Sequence, residues 1–327
     1  MTEKIDVSII IPVKNGGELL ERVLKSVKGQ KTKYNYEIIC IDSGSKDNSI
    51  NIIKNNNIKL FQIKPEEFGH GKTRDFGASK GSGEFIIFIT QDALPATDLW
   101  LENFINAMKT DEGIAGGFGI HYPYPDCNII DKKDIENHFK DFGDSNMTFQ
   151  VTDNEKYIKE EKYRHFLAFF SDNNACLRRS VWEKYPYDDV KFAEDQIWAR
   201  KIIELRYKKL YCPSAPVYHS HNYNLKEYFK RYYDEYKGIY EIHKYIICKR
   251  LLFLFPAMIK HIINDIRYVI KLPTKIFEKI NNIWYVSCRE FCRYIGGYIG
   301  GNYHRFSKKK KIKMDKLFSL QREQIEY

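Results

Sequence analysis

The sequence predicts an α/β fold, a mostly parallel, doubly wound sheet with helices on both faces, followed by a C-terminal helical extension. Three observations predict it. The run Phe85-Ile86-Ile87-Phe88-Ile89 is unbroken, with Gly81 and Gly83 before it and Pro95 after it, the pattern of a strand buried on both faces. Ile9 to Ile11 and Ile38 to Ile41 give shorter runs of the same kind. Between them Leu19, Leu20, Val23, Leu24 and Val27 recur at helical spacing. Strands alternating with helices argue for a parallel sheet.

Taken in order, the first strand is Val7 to Pro12 and the first helix Glu18 to Val27. Tyr36 to Asp42 is the second strand, and the turn Ser43 to Asn48 enters a helix near Ser49. Ile58 to Ile63 is the third strand. A polar loop, Glu66 to Lys72, leads to a helix over Thr73 to Ser79. The Phe85 strand follows, then a helix over Asp98 to Met108 and a strand over Ile114 to Phe118. Residues 121–164 lose the rhythm and read as a long, mobile connection. Order returns at Phe166 to Asn174. Helices start near Arg179 and Glu194, and Tyr207 to Tyr218 reads as strand and loop around Pro213 and Pro216. From Leu225 the character changes: Tyr228, Phe229, Tyr232, Tyr233 and Tyr236 share one helical face. The chain therefore divides into residues 1–224, with halves 1–120 and 121–224, and a basic amphipathic helical region, 225–327.

Hydrophobic residues make up 43% of the 327 and charged residues 29%, so a sizeable core forms and a disordered chain is excluded. The net charge of +10 suits a membrane surface, an anionic substrate or nucleic acid. No nucleic-acid recognition motif accompanies it, which ranks that class last. Seven Lys or Arg against one Asp lie between Arg305 and Lys316. The seven cysteines form no CxxC pair, which argues against zinc and for free thiols. With no leader expected ahead of Asp6, the reading is a reduced, cytoplasmic protein. The best candidate for a span, Leu251 to Ile259, has nine residues, half of what a bilayer needs.

Four constellations carry chemistry. Asp42 and Asp92 end strands, where ligands of open α/β sheets bind; each either caps the next helix or holds a ligand or cation. Phe68 to Ala78 offers glycines, Lys72, Arg74 and a helix start, which suits a phosphate-bearing ligand although it matches no standard nucleotide loop; His70 within it also fits an ordinary surface residue. Glu194 and Asp195 open a helix, either complementing its dipole or providing a general base. His219 and His221 lie on one side of a strand, as metal ligands or as structural residues.

In this order, the motifs over about residues 6–240 resemble the family 2 glycosyltransferases, inverting enzymes with the GT-A fold. Ser8 to Asn15 is similar to that family's opening strand and Asp42 to Asp47 to its second-strand turn. His70 to Asp75, Thr90 to Ala93, Ser171 to Ala175, Ala193 to Gln196 and Tyr218 to Tyr223 resemble the bacterial rhamnosyltransferase branch. The resemblance implies a nucleotide-sugar-binding first half and an acceptor-binding, catalytic second half. It implies L-rhamnose transfer from dTDP-L-rhamnose to a lipid-linked or polysaccharide hydroxyl, at the inner face of the cell membrane. Asp195 would be the general base. Pro12, Asp42, Arg74, Gln91 and Asp92 would bind the donor, with Arg74 on the diphosphate and Asp42 on the thymine or ribose. Asn173, Glu194 and Trp198 would shape the acceptor and sugar pocket. Asp92, with His219 or His221, would hold a Mg²⁺ or Mn²⁺ ion.

One departure is notable. The family's metal motif usually reads Asp-x-Asp, whereas here Thr90-Gln91-Asp92 has a single acid. It leaves two alternatives open: a transferase using a UDP- or GDP-linked sugar, and a non-catalytic scaffold for glycan assembly. The C-terminal region likewise has two readings, a surface for an anionic leaflet and a packed helical subdomain with a solvated tail.

Overall fold

A computed structural model describes residues 4–190, 193–244, 246, 248 and 250–320. The chain divides into two compact units, one up to Ser220 and one from His221.

In the first unit, β1 (Val7–Val13), α1 (Gly17–Lys28), β2 (Tyr36–Asp42), α2 (Ser49–Asn55) and β3 (Lys59–Gln62) follow the expected alternation. They lead to α3 (His70–Ser79), β4 (Phe85–Ile89), the two-residue β5 (Leu94–Pro95), α4 (Trp100–Met108) and β6 (Ile114–Tyr122). β1, β2, β3 and β4 pair in parallel. Their residues alternate between two cores. Val7, Ile9, Ile11, Phe85 and Ile87 face one that α1 and α4 cover. Ile10, Ile39, Ile86 and Phe88 face the other. Burial on both faces is why these strands are unbroken apolar runs.

Residues 121–164 are not the mobile connection their polarity suggested. They form α5 (Ile129–Lys140), β7 (Met147–Phe149) and α6 (Asn154–Lys159). The segment needs few apolar side chains because Phe139 and Phe142 carry its packing, against Phe118 and Tyr211. Then come α7 (Glu161–Ala168), β8 (Asn174–Arg178), α8 (Arg179–Trp182), α9 (Glu194–Glu204) and β9 (Lys208–Tyr218). Trp198, Ala199 and Ile202 of α9 join the second core.

The sheet order is β3-β2-β1-β4-β8-β6-β9-β5, with β7 also on β9. The expected parallel pattern is broken at β8, which runs antiparallel to both β4 and β6. This reversal positions the site. Asn174 at the start of β8 pairs with Ile89 at the end of β4. Tyr218 at the end of β9 pairs with Tyr122. Three segments from distant parts of the chain, after β4, before β8 and after β9, therefore meet at one sheet edge.

The second unit consists of α10 (Leu225–His243), α11 (Leu254–Lys271), α12 (Ile276–Gly301) and α13 (Lys308–Phe318). Asn224 caps α10 by accepting from the Lys226 and Glu227 amides, both at 3.0 Å. α12 packs on α10 through glycines: a Cβ on Gly300 would lie 2.2 Å from the Tyr233 carbonyl oxygen, and one on Gly296 2.5 Å from that of Phe229.

Candidate active site

Asp92 lies just beyond β4 and His219 just beyond β9. His219 Nε2 is 3.7 Å from Asp92 Oδ1. Asn173, immediately before β8, places its amide nitrogen 3.4 Å from His219 Nδ1. The sheet register thus brings together an acid, an imidazole and an amide separated by up to 127 positions. The Tyr124 hydroxyl donates to the Asp92 carbonyl at 3.0 Å and holds the loop that carries the acid. A carboxylate and an imidazole, both partly exposed, suit a divalent cation that completes its coordination with water and ligand oxygens. His221 opens the second unit, exposed, with its ring stacked on Tyr223.

Gln91 faces inward. Its Oε1 accepts from the Lys14 amide at 2.9 Å and its Nε2 donates to the Lys14 carbonyl at 3.0 Å. It ties the end of β4 to the loop that follows Pro12 and Val13. The Asp42 side chain is buried, and its carboxylate accepts from the Gly44 and Ser45 amides at 3.1 and 3.2 Å, which closes its turn.

Behind the edge lies a second cluster. Asp195, in the first turn of α9, accepts from the Asp172 amide at 3.3 Å and from the Gln196 amide at 2.7 Å. Arg74 is buried as well. Its Nη1 donates to Glu194 Oε1 at 2.9 Å and its Nε lies 3.3 Å from Asp172 Oδ2. The guanidinium is spent on two carboxylates because burying it alone would be prohibitive. Glu194, as its partner, is buried too. Trp198 is 2% exposed, its indole N–H donates to the Tyr185 carbonyl at 2.8 Å, and it packs in the second core. Glu194 and Trp198 are one turn apart on the buried face of α9, and Asp195 beside them is partly buried.

Two members of this cluster had no role in the sequence reading. Asp172 was seen only as part of a motif, and Tyr187 carried no local signal. The Tyr187 hydroxyl donates to Asp172 Oδ1 at 2.6 Å. Three carboxyls share one guanidinium. Burial, then the charges of Glu194 and Asp172, push the Asp195 carboxyl well above its ordinary range, with Arg74 pulling it back. Burial also raises Asp172 and Glu194 against the pull of Arg74. A group that gains proton affinity in this way is matched to taking a proton near neutral pH. Ala193, directly before the pair, adopts the left-handed region at φ 53°, a conformation that costs an L-residue roughly 1–2 kcal/mol and is often found at functional sites.

The arrangement can be compared with known proteins. A family model described as glycosyl transferase family 2 matches residues 8–186. The O-antigen chain rhamnosyltransferase RfbN of Salmonella typhimurium is 36% identical over 233 residues, 70% of each chain. The O-antigen chain rhamnosyltransferase WbaN of Salmonella anatum is 31% identical over 231 residues, 69% of this chain and 70% of its own. Among solved structures, the mannosyltransferase PcManGT from Pyrobaculum calidifontis, in complex with GDP-Man and Mn²⁺, matches with a TM-score of 0.54 at 13% identity, covering 96% of this chain and 80% of its own. S. aureus TarS matches with a TM-score of 0.52 at 12% identity, covering 96% and 79%. These two likenesses show the fold.

Proposed function

The chain belongs to glycosyl transferase family 2, and from that premise we propose that it is an inverting rhamnosyltransferase. It is a glycosyltransferase with the GT-A fold. In our reading it moves L-rhamnose from dTDP-L-rhamnose to a hydroxyl of a lipid-linked or polysaccharide acceptor, in bacterial surface glycan synthesis at the inner face of the cell membrane. The similarity to two O-antigen chain rhamnosyltransferases over about 70% of the chain carries the choice of sugar.

Asp195 takes the proton from the acceptor hydroxyl as it attacks the anomeric carbon. Direct displacement inverts the configuration there and releases the nucleoside diphosphate. The Asp172 amide holds Asp195 in place, and burial with the charges of Glu194 and Asp172 keeps its proton affinity high. The turn organised by Asp42, with Pro12 and the Gln91-braced loop, borders the donor. Asn173 orients His219 beside Asp92. A Mg²⁺ or Mn²⁺ ion held by Asp92 with His219 would neutralise charge on the departing diphosphate.

A donor screen with the full chain tests the sugar. We expect turnover of dTDP-L-rhamnose at least tenfold above UDP- and GDP-linked sugars in kcat/KM, and its loss on chelation of divalent ions. A UDP- or GDP-sugar that outperforms it overturns the assignment. Asp195→Asn should lower kcat by about 10²–10⁴-fold while circular dichroism and melting stay native. Near-normal transfer by that folded variant would exclude Asp195 as the base.

A further inference from the structure

The second unit exposes an apolar surface that its own fold does not use. α11 buries Leu254, Met258 and Val269. Phe255, Ile259, Ile263 and Ile270 of the same helix are exposed. At about 100° per residue these four occupy a separate arc of roughly 80°, beside the buried one. The exposed cations Lys260, Arg267 and Lys271 follow on the arc's other flank. α12 repeats the pattern: Ile276, Phe277, Ile280, Trp284 and Phe291 are exposed, opposite the face that buries Val286, Arg289 and Gly297. Just before α11, Leu252 and Phe253 are exposed as well.

The amount is large. Phe253, Phe255, Phe277, Trp284 and Phe291 are 39–78% exposed. At ~150–250 Å² per aromatic side chain they present on the order of 600 Å² together, already the size of the largest apolar patch on a typical monomer, ~300–600 Å². The aliphatic neighbours add to it. Such an expanse needs an occupant.

Charge identifies it. Residues 221–327 carry 22 Lys and Arg against 10 Asp and Glu, a net +12. The preceding 220 residues, with 31 against 33, are net −2, which accounts for the chain's +10. All of the surplus positive charge therefore belongs to the unit that bears the apolar surface. A second copy packed face to face would bring the cations of both copies together. An anionic bilayer would satisfy both features, taking the apolar side chains at the acyl boundary and the cations at the headgroups. No helix among the described residues is long and apolar enough to cross a membrane, so the contact lies along the interface.

We infer that the outward faces of α11 and α12 form a docking surface for anionic lipid, with Phe277 and Trp284 as its most deeply inserted side chains. These two are 78% and 72% exposed, the highest among the aromatic residues of the surface. The inference rests on the rhamnosyltransferase reading only for its biological sense, namely delivery of the enzyme to a lipid-linked acceptor.

The test uses the full chain, without donor or acceptor, and vesicles of phosphatidylcholine with or without one part in four of phosphatidylglycerol. Of the four tryptophans only Trp284 is exposed; Trp100, Trp182 and Trp198 are buried. Anionic vesicles should blue-shift its emission and float the protein. Pure phosphatidylcholine should do so at least tenfold less well, and high salt should weaken the binding. Phe277→Ser and, separately, Lys271→Glu with Lys275→Glu should each weaken flotation at least tenfold, with transfer to a soluble acceptor unchanged. Trp284→Phe should float but lose the shift. Flotation of the wild type that is absent, or that survives Phe277→Ser undiminished, overturns the inference. So does a dimer in light scattering that Phe277→Ser converts to monomer, which would make a second copy the occupant. Donor turnover is measured without vesicles, so either reading can fail alone.

Discussion

A general base works only when unprotonated, so the surroundings of Asp195 set the acid limit of the enzyme. Its carboxyl is raised first by burial and then by the charges of Glu194 and Asp172. As pH falls, Asp195 takes up its proton early and transfer is lost. The acid limb of kcat should therefore lie well above the ordinary carboxyl range of about 3.9. Glu194→Gln removes one of the charges that raise Asp195 but keeps an oxygen for Arg74 to donate to. The limb should then move to lower pH. A pH–rate profile of the two proteins checks it; a limb that stays put, or moves up, would show that Glu194 does not act on the base. The sequence made the acid pair visible but could not divide its roles. Arg74 and Glu194 are 120 positions apart, and nothing local announces that their charges meet. The turn that Asp42 closes was hidden for a related reason: an acid at a strand end looks the same in sequence whether or not the Gly44 and Ser45 amides donate to it.

At the scale of elements, the parallel core was legible because burial on both faces writes itself as unbroken apolar runs. β8 was not, since five residues, Asn174–Arg178, are too few to show a period or a direction. Residues 121–164 were obscured because a few aromatic side chains can hold a polar segment. The seating of α3 is another long-range feature, and it yields a prediction. A Cβ on Gly77 would lie 2.3 Å from Ile10 Cγ2 and 3.2 Å from Ile41 Cγ1. Both isoleucines are fully buried in the sheet, so the helix rather than the strand must give way. Gly77→Ala should cost about 1–3 kcal/mol, read as a fall in melting temperature of roughly 2–4 °C per kcal/mol. Arg74 lies one turn before Gly77 on the same helix. Displacing α3 should therefore also disturb its bond to Glu194 and lower kcat. A variant with wild-type melting and wild-type kcat would show that the contact is not tight.

Across the whole molecule, the cysteines divide as the units do. Cys40, Cys127, Cys176 and Cys212 lie in the first unit and are buried. Cys248, Cys288 and Cys292 lie in the second and are partly exposed. All seven are free thiols. The thiolate is the reactive species, and burial raises the proton affinity of Cys40, Cys176 and Cys212. Exposure and ionisation thus act together to protect the first unit's thiols. A disulfide-exchange reagent applied to the native protein near pH 8 should modify the three thiols of the second unit and leave the other four until the sheet opens. Cys292, which burial and its neighbour Cys288 also push up, should be slower than Cys248. Mass spectrometry of the labelled peptides over rising urea would then give an unfolding curve for each unit within one chain. Of the four protected cysteines, Cys40, Cys176 and Cys212 should label together, because they share one apolar core with the central strands. Early labelling of Cys176 alone, in a protein that still transfers sugar, would contradict a sheet in which β8 is pinned between β4 and β6. It would also remove the physical basis for placing Asn173 beside His219, since β8 is what carries that residue to the edge.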